Sequence, residues 1–318
     1  MKKILAFRND RFGEFLLNIP AFRAIKETYP QAELHVVVAP QVEELARVVP
    51  FIDKVVVWPP VPRPIFNEIA LIRKLQAEKY DAAVVLNPLR HSHHFIFWAG
   101  IPNRYGYSCK HCFMLNHQMP EGRNRLIRHE VENNLDLVAL MGARTQDKSL
   151  MLNIDEAMRA AVRSKFRLDF SKGIVAVHPW TSDAVKQWPL ENFEKLIAAL
   201  ARNFEGRILI LGRPERWHRE INLSEHPYVI DLKGQTTLLE AAAILSQCRC
   251  LISGDSGPMH LACAVQTPVV ALFRNDIPGK TPDRWGPWGE RHVVLQRFRL
   301  EDIAVREVLE SAQQFFEK

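Results

Sequence analysis

A short apolar run followed by a helical pattern recurs along this chain, breaks off, and then starts again. That repeated alternation limits the fold more than any other feature. Residues 3–7 form a short run, apolar after Lys3, as suits a strand buried on both faces of a parallel sheet. A polar turn, 8–14, follows, and Leu16, Leu17, Ile19, Ala21, Phe22 and Ile25 then recur at helical spacing. Strands are expected at 33–38, 54–57 and 81–86, with helices at 66–77 and 129–141. After a polar stretch, 155–172, strands at 173–177, 207–211, 250–253 and 268–272 alternate with helices at 190–201, 238–245 and 259–264. Strands joined through helices by short links form parallel sheets. The expected fold is therefore α/β, with two Rossmann-like doubly wound domains, 1–165 and 166–318, facing a cleft. The 318 residues exceed what one core usually fills, although one large barrel is an alternative. The final amphipathic stretch, 300–316, is expected to pack back on the first domain.

Composition narrows the class. With 47% apolar and 25% charged residues, the chain has globular proportions that exclude a disordered or fibrous protein. Arg8 ends the first apolar run too early for a secretory leader. No stretch approaches the ~20 apolar residues that span a bilayer, so a cytoplasmic location is expected. Cysteines at 109, 112, 248, 250 and 263 are odd in number, which argues against a disulfide framework. The net charge of +6 favours anionic partners: nucleic acid, nucleotide-sugar, phospholipid or phosphorylated glycan. No interleaved aromatic and basic motif marks a nucleic-acid binder.

In doubly wound sheets ligands sit beyond the carboxyl ends of strands, so the turns there are the candidates. In the turn Gly254-Asp255-Ser256-Gly257-Pro258-Met259-His260, Pro258 suits a first helical turn and Asp255 or Ser256 can cap it. The helix dipole then favours a phosphate, and Gly257 lets the ligand come close. An ordinary capped junction has the same pattern. A second turn, 178–189, offers the hydroxyls of Thr181 and Ser182 and the ammonium of Lys186. Lys186 also reads as a solvated loop lysine. In the first loop, 8–14, Glu14 stands at a helix start, where the dipole alone would favour a carboxylate; its functional reading is a general base.

Neither G-x-G-x-x-G nor G-x-x-x-x-G-K-[ST] occurs, so a dinucleotide site or a P-loop is unsupported. Cys109-Lys110-His111-Cys112 has a CxxC spacing but lacks the four ligands of a zinc site, and Cys248 and Cys250 lie in the other half. No metal and no cofactor are expected. His91, His93 and His94 read as lining a polar surface or groove.

Taken together, these turns resemble the ADP-heptose:lipopolysaccharide heptosyltransferases, glycosyltransferase family 9, of GT-B fold. The resembling segments are 13–21 (a G-D-x-[LI]-x-x-x-P pattern), 129–137 (an H-x-[VE]-x-R/N-x-L helix), Lys186-Gln187-Trp188-Pro189 (K-x-W-P) and 255–262 (D-[ST]-G-x-x-H-L-A). They run through nearly the whole chain, and the last two in that order are fairly specific.

The resemblance implies an inverting, metal-independent transfer of heptose or a related sugar from an ADP-sugar to an inner-core lipopolysaccharide acceptor. Lys186 would hold the donor pyrophosphate. Gly13, Thr181, Ser182, Glu215, Asp255, Ser256, Gly257, Pro258, Met259 and His260 would complete the donor site. Glu14 stands where the family usually has an Asp as base, with Asp10 in reserve. Asp10, Arg11, Arg104, Arg123 and Arg128, with Lys110 and Arg125, would meet the anionic acceptor; a solvated basic face is the alternative. Peripheral contact with the inner membrane is implied, but no nucleic acid and no obligate protein partner. A nucleotide-sugar 2-epimerase of the same fold and a non-catalytic sugar-binding protein are the other readings.

Overall fold

The computed structural model describes residues 1–58, 65–87, 90–108, 112–120, 122–214, 221 and 226–317, with backbone alone at 65, 90, 112, 123 and 124. The chain divides into two units, Met1–Ser149 and Leu150–Lys318.

The first unit runs β1 (Lys3–Arg8), α1 (Phe12–Leu16), α2 (Ile19–Thr28), β2 (Glu33–Val38), α3 (Glu43–Arg47), β3 (Lys54–Val57), α4 (Ile65–Glu78), β4 (Ala82–Val85), α5 (Arg90–Trp98), β5 (Asn103–Tyr107), β6 (His117–Met119) and α6 (Glu130–Ala139). Its strands form one sheet in the order β3-β2-β1-β4-β5-β6, with every neighbouring pair parallel. Ile4 is in register with Leu34 on one side and Ala82 on the other. Ile4, Leu5, Ala6 and Phe7 are wholly buried, as a strand covered by helices on both faces must be.

The second unit runs α7 (Glu156–Phe166), β7 (Ile174–His178), α8 (Leu190–Asn203), β8 (Arg207–Ile210), β9 (Val229–Asp231), α9 (Leu238–Leu245), β10 (Cys250–Gly254), α10 (Gly257–Ala264), β11 (Val269–Arg274), α11 (Pro282–Trp285), β12 (His292–Arg297) and α12 (Val305–Gln313). Its sheet order, β12-β11-β10-β7-β8-β9, repeats the topology of the first. In both units the strand order reverses between the first and the fourth strand, and this opens a crevice at their carboxyl ends.

Two expectations are corrected. The boundary falls at 149/150 rather than 165/166. The Leu152 N–H donates to the Ala264 carbonyl (3.0 Å), and Gln266 Nε2 donates to the Leu150 carbonyl (2.8 Å). The supposed polar linker contains α7, capped by Asp155 and tied to the second unit by Lys165–Glu240 and Arg163–Gln247, both at 2.6 Å. The last helix also stays with the second unit. Val308 and Ala312 of α12 join the core built by Phe193, Leu196, Ile197 and Leu200 of α8. Burial of each large side chain there stabilises by about 1.5–3 kcal/mol.

Candidate functional site

The strand-order reversals direct attention to four turns: those after β1 and β4 in the first unit, and those after β7 and β10 in the second.

In the first unit, Arg8 is 2% exposed; its Nη1 donates to the Leu86 carbonyl (2.7 Å) beyond β4, and its Nε lies 2.9 Å from Asp10 Oδ1. Asn87 Nδ2 donates to Asn9 Oδ1 (2.7 Å), so both flanking turns are tied together. Glu14 is the third residue of α1, half-buried, and its carboxylate makes no hydrogen bond or ion pair among the described residues. Burial pushes the Asp10 carboxyl up; Arg8 partly offsets this, while the charges of Glu14 and Glu130 add to it. Asp10 is thus held by an internal partner, whereas Glu14 is available to a ligand. Gly13 is buried in α1 and belongs to this unit, not to the second with the other donor-site candidates.

The 129–137 segment supports this loop. The His129 side chain caps α6 by accepting from the Val131 N–H (3.2 Å). Asn134 is wholly buried, and its Nδ2 reaches the Leu17 carbonyl (3.3 Å) at the α1–α2 junction. Asn18 Nδ2 donates to the Glu14 carbonyl (2.6 Å), which fixes the backbone that carries the candidate base. Arg125 lies over the Tyr107 ring (3.9 Å to its centroid) and 3.7 Å from buried Glu130.

The other acceptor candidates divide. Arg11 is exposed. Arg128 is half-exposed and ion-pairs with Asp136 and, at 3.7 Å, Glu132. Arg104 is committed elsewhere: its Nε donates to the Met114 carbonyl (2.6 Å) and its Nη1 to that of Ile101 (2.5 Å). The side chains of Arg123 and Cys112, and residues Cys109, Lys110, His111 and Glu215, lie outside the described residues. His93 corrects the groove reading, since it is 1% exposed and packs against Gly106 of β5. Among the described residues no group of three or more His, Cys, Asp or Glu is placed to hold a metal. Burial pushes the Cys250 and Cys263 thiols up to about 12, which leaves them inert near neutral pH.

In the second unit, the loop after β7 and the turn after β10 meet. Lys186 Nζ lies 2.6 Å from Asp255 Oδ2, with the two side chains 18% and 9% exposed. Gly254 lies against this loop: a β-carbon there would stand in tight contact with Thr181 Cγ2 (3.2 Å) and in ordinary contact with the Lys186 carbonyl (3.5 Å). The Lys186 loop is anchored from behind. Gln187 Nε2 donates to the carbonyls of Pro179 (2.7 Å) and Trp188 (2.6 Å), and Trp188, wholly buried, donates through Nε1 to the Ile303 carbonyl (3.1 Å). Thr181 is buried and donates to the Asp183 carbonyl (2.8 Å), while Ser182 is exposed. Ser256, Gly257 and Pro258 are partly exposed at the start of α10. Met259 and His260, on the same helix, are 0% and 4% exposed.

Residues missed in the sequence complete this site. Asp183 accepts from the Val185 N–H (3.2 Å) and pairs with Lys280 at 2.7 Å; that hydrogen bond holds its carboxyl below the usual range. Arg274 Nη1 donates to the Val185 carbonyl (3.1 Å). The loop after β11 therefore brings a second ammonium close to the Lys186 loop. Nothing local in the sequence marks Lys280, because its neighbour in space is 97 residues away.

The crevice thus presents cations, the start of a helix and one carboxylate, a combination that suits a phosphorylated ligand. Comparison with known proteins agrees. The E. coli lipopolysaccharide heptosyltransferase 2 is 24% identical, with 88% of this chain and 85% of that protein covered. The Haemophilus ducreyi lipooligosaccharide heptosyltransferase 2 is 25% identical, with 92% and 88% covered. The solved structure of the E. coli ADP-heptose LPS heptosyltransferase II superposes with a TM-score of 0.85 at 21% identity, covering 99% of this chain and 98% of that one, so the fold is GT-B. Residues 69–313 match glycosyltransferase family 9 (heptosyltransferase), and the chain belongs to that family.

Proposed function

We propose that this heptosyltransferase moves a heptose from ADP-heptose to an inner-core lipopolysaccharide acceptor, with inversion and without a metal ion. The observation that carries the donor assignment is the Lys186–Asp255 pair at the head of α10, where the strand order reverses. In this reading the diphosphate takes the place of one side of that pair. As the acceptor oxygen bonds to the anomeric carbon, the bond from that carbon to the phosphate oxygen breaks and negative charge grows on ADP. Lys186 and the α10 dipole stabilise that charge more in the transition state than before it. Lys280 adds a cation nearby. Glu14 receives the proton of the acceptor hydroxyl, a contribution typically worth ~10²–10⁴ in rate.

The lipid-linked acceptor brings the enzyme to the inner face of the membrane, although no described helix is long and apolar enough to cross it. Trp98 and Phe113, 60% and 67% exposed, both pack on Phe97, over whose ring the Arg104 guanidinium lies. Exposed aromatics clustered at one patch support peripheral contact with a lipid surface.

The test is mass spectrometry of products from ADP-heptose with and without a deacylated inner-core acceptor. Transfer that requires acceptor, is lost in Glu14→Gln and leaves ADP affinity intact is the expected result. An altered sugar nucleotide formed from donor alone would assign an epimerase instead. Binding without turnover in the wild type would assign a sugar-nucleotide-binding protein.

A further inference from the structure

The second unit holds a cavity of about 290 Å³ at the end of its sheet opposite the donor crevice. The amino ends of three adjacent parallel strands and the end of the last helix form its walls. Ser246 and Arg249 precede β10, Thr267 precedes β11, Arg291 precedes β12, and Gln314 and Phe315 follow α12. The donor turns lie beyond the carboxyl ends of β7 and β10, so the length of β10, ~16 Å, separates the two places.

Two guanidinium groups line this cavity, and neither has a partner of opposite charge among the described residues. Arg249 is half-buried, and its Nε and Nη1 are enclosed without a hydrogen-bond acceptor. Nη2 is the nitrogen left to meet the cavity. The backbone sets this position. The Arg249 N–H donates to the Ile174 carbonyl (2.8 Å), and the side chain crosses Gly173, where a β-carbon would stand 2.7 Å from Nε. Gly173 has φ +81°, so both the angle and the close approach require glycine. Arg291 is exposed and makes no hydrogen bond or ion pair among the described residues. Leu251, Val269 and His292 share one row of the sheet, which sets the two arginines two strand spacings apart, about 10 Å.

The other polar groups of the cavity are already engaged. Ser246 Oγ donates to the Ala243 carbonyl (2.9 Å) and accepts from Arg159 Nε (3.2 Å). Thr267 donates to the Leu245 carbonyl (2.7 Å), and Gln314 Nε2 to the Ser311 carbonyl (2.6 Å). Glu317 also lines the cavity, but its residue is exposed and it pairs with neither arginine. An enclosed cation without a counter-charge is destabilising. An oxyanion between the two guanidinium groups removes that penalty and accepts charge-assisted hydrogen bonds from both.

We propose that Arg249 and Arg291 form a second anion site, separate from the donor crevice, that takes a phosphate group, free or as a small monoester. The volume admits a phosphate and a few attached atoms but not a whole sugar nucleotide.

The test is calorimetric titration of inorganic phosphate into the full chain saturated with ADP, with ionic strength held constant by chloride. The wild type should bind one phosphate with a Kd of about 1 mM or tighter. Arg249→Met keeps the apolar stem against Gly173 and removes the charge; Arg291→Gln removes the other. Each should weaken phosphate binding roughly tenfold or more. Phosphate should raise the melting temperature of the wild type and leave that of both variants unmoved. In phosphate-free buffer Arg249→Met should melt no lower than wild type, because it loses a charge that had no partner. If it melts lower, Arg291→Gln, at an exposed position, still decides. No saturable phosphate binding by the wild type overturns the proposal, and so does wild-type affinity in Arg291→Gln or in a folded Arg249→Met. Displacement of the bound phosphate by glycerol phosphate assigns a soluble monoester, and displacement by phosphatidate vesicles a lipid headgroup. Lys186→Ala should keep this phosphate site, so its effect on ADP reports on the donor reading alone.

Discussion

Lys186 and Asp255 come from turns that close different strands, and they meet at 2.6 Å with both side chains largely shielded from water. A pair so placed is stronger than an exposed one, because screening is weak and the Lys186 loop is held by the Trp188 anchor. Replacing Lys186 with Ala removes the ammonium while the anchor stays. ADP affinity is expected to fall about 10- to 100-fold, or about 1.4–2.8 kcal/mol, as befits a lost charge-assisted contact. Calorimetry with ADP checks this, and equal affinity would remove Lys186 from the donor site.

Trp188 transmits stability to that same loop. It is wholly buried, edge-on to Phe193 at 4.8 Å between centroids, and bonded to the Ile303 carbonyl just before α12. Trp188→Ala opens a large cavity and leaves that carbonyl unsatisfied. A loss of about 3–5 kcal/mol is expected in urea unfolding. Trp188→Phe keeps most of the volume and should lose about 1–2 kcal/mol, mainly the hydrogen bond. If both variants unfold at the wild-type midpoint, the loop is not anchored through this residue.

A pH-dependent prediction comes from Glu78 in the first unit. Lys3 at 2.8 Å and Lys54 at 2.5 Å hold its carboxyl down to about 2 through hydrogen bonds. A depressed carboxyl stabilises the fold above its unfolded value, near 4.5, and the contribution is lost as pH falls toward about 2. The site is near the surface, so about 1 kcal/mol is expected at pH 7 after solvent screening. Glu78→Gln should be less stable by that amount at pH 7, and the gap should narrow steadily below pH 4.5. A gap independent of pH would mean that the ion pairs contribute nothing.

Much of the fold was legible because parallel strands buried on both faces advertise themselves. Strands β1, β2, β7 and β10 are nearly continuous apolar runs, and the strand pattern located them within a residue or two. Strand β5, Asn-Arg-Tyr-Gly-Tyr, and β12, half-exposed at a sheet edge, carry no such signal and were missed. Helix α7 lies in a polar stretch with little core-facing signal, since only Val162 on it is buried. The candidate site was legible where the chain turns sharply after a strand, as at Asp255–Pro258, and where a tryptophan anchors a lysine. It was illegible where partners meet only in space. Asp183–Lys280 and His178–Ser256 join residues far apart in the chain.

The exposed aromatics give the last prediction. Trp98 and Phe113 leave apolar surface in water that each could bury, and both lie against Phe97 beside a guanidinium held by backbone carbonyls. That arrangement suits the interfacial zone of a membrane, where aromatic rings sit among the headgroups. Replacing both aromatics with Ser removes apolar area worth a few kcal/mol of partitioning at about 25 cal/mol per Å². Flotation with vesicles containing anionic phospholipid should carry the wild type upward and leave the double variant at the bottom. Transfer to a deacylated, water-soluble acceptor should be the same in both, since the substitutions lie outside the donor site and the Glu14 loop. Equal flotation of the two proteins would exclude this patch as the membrane contact, and a variant that also loses transfer to the soluble acceptor would move Trp98 and Phe113 from lipid binding to the support of the acceptor site.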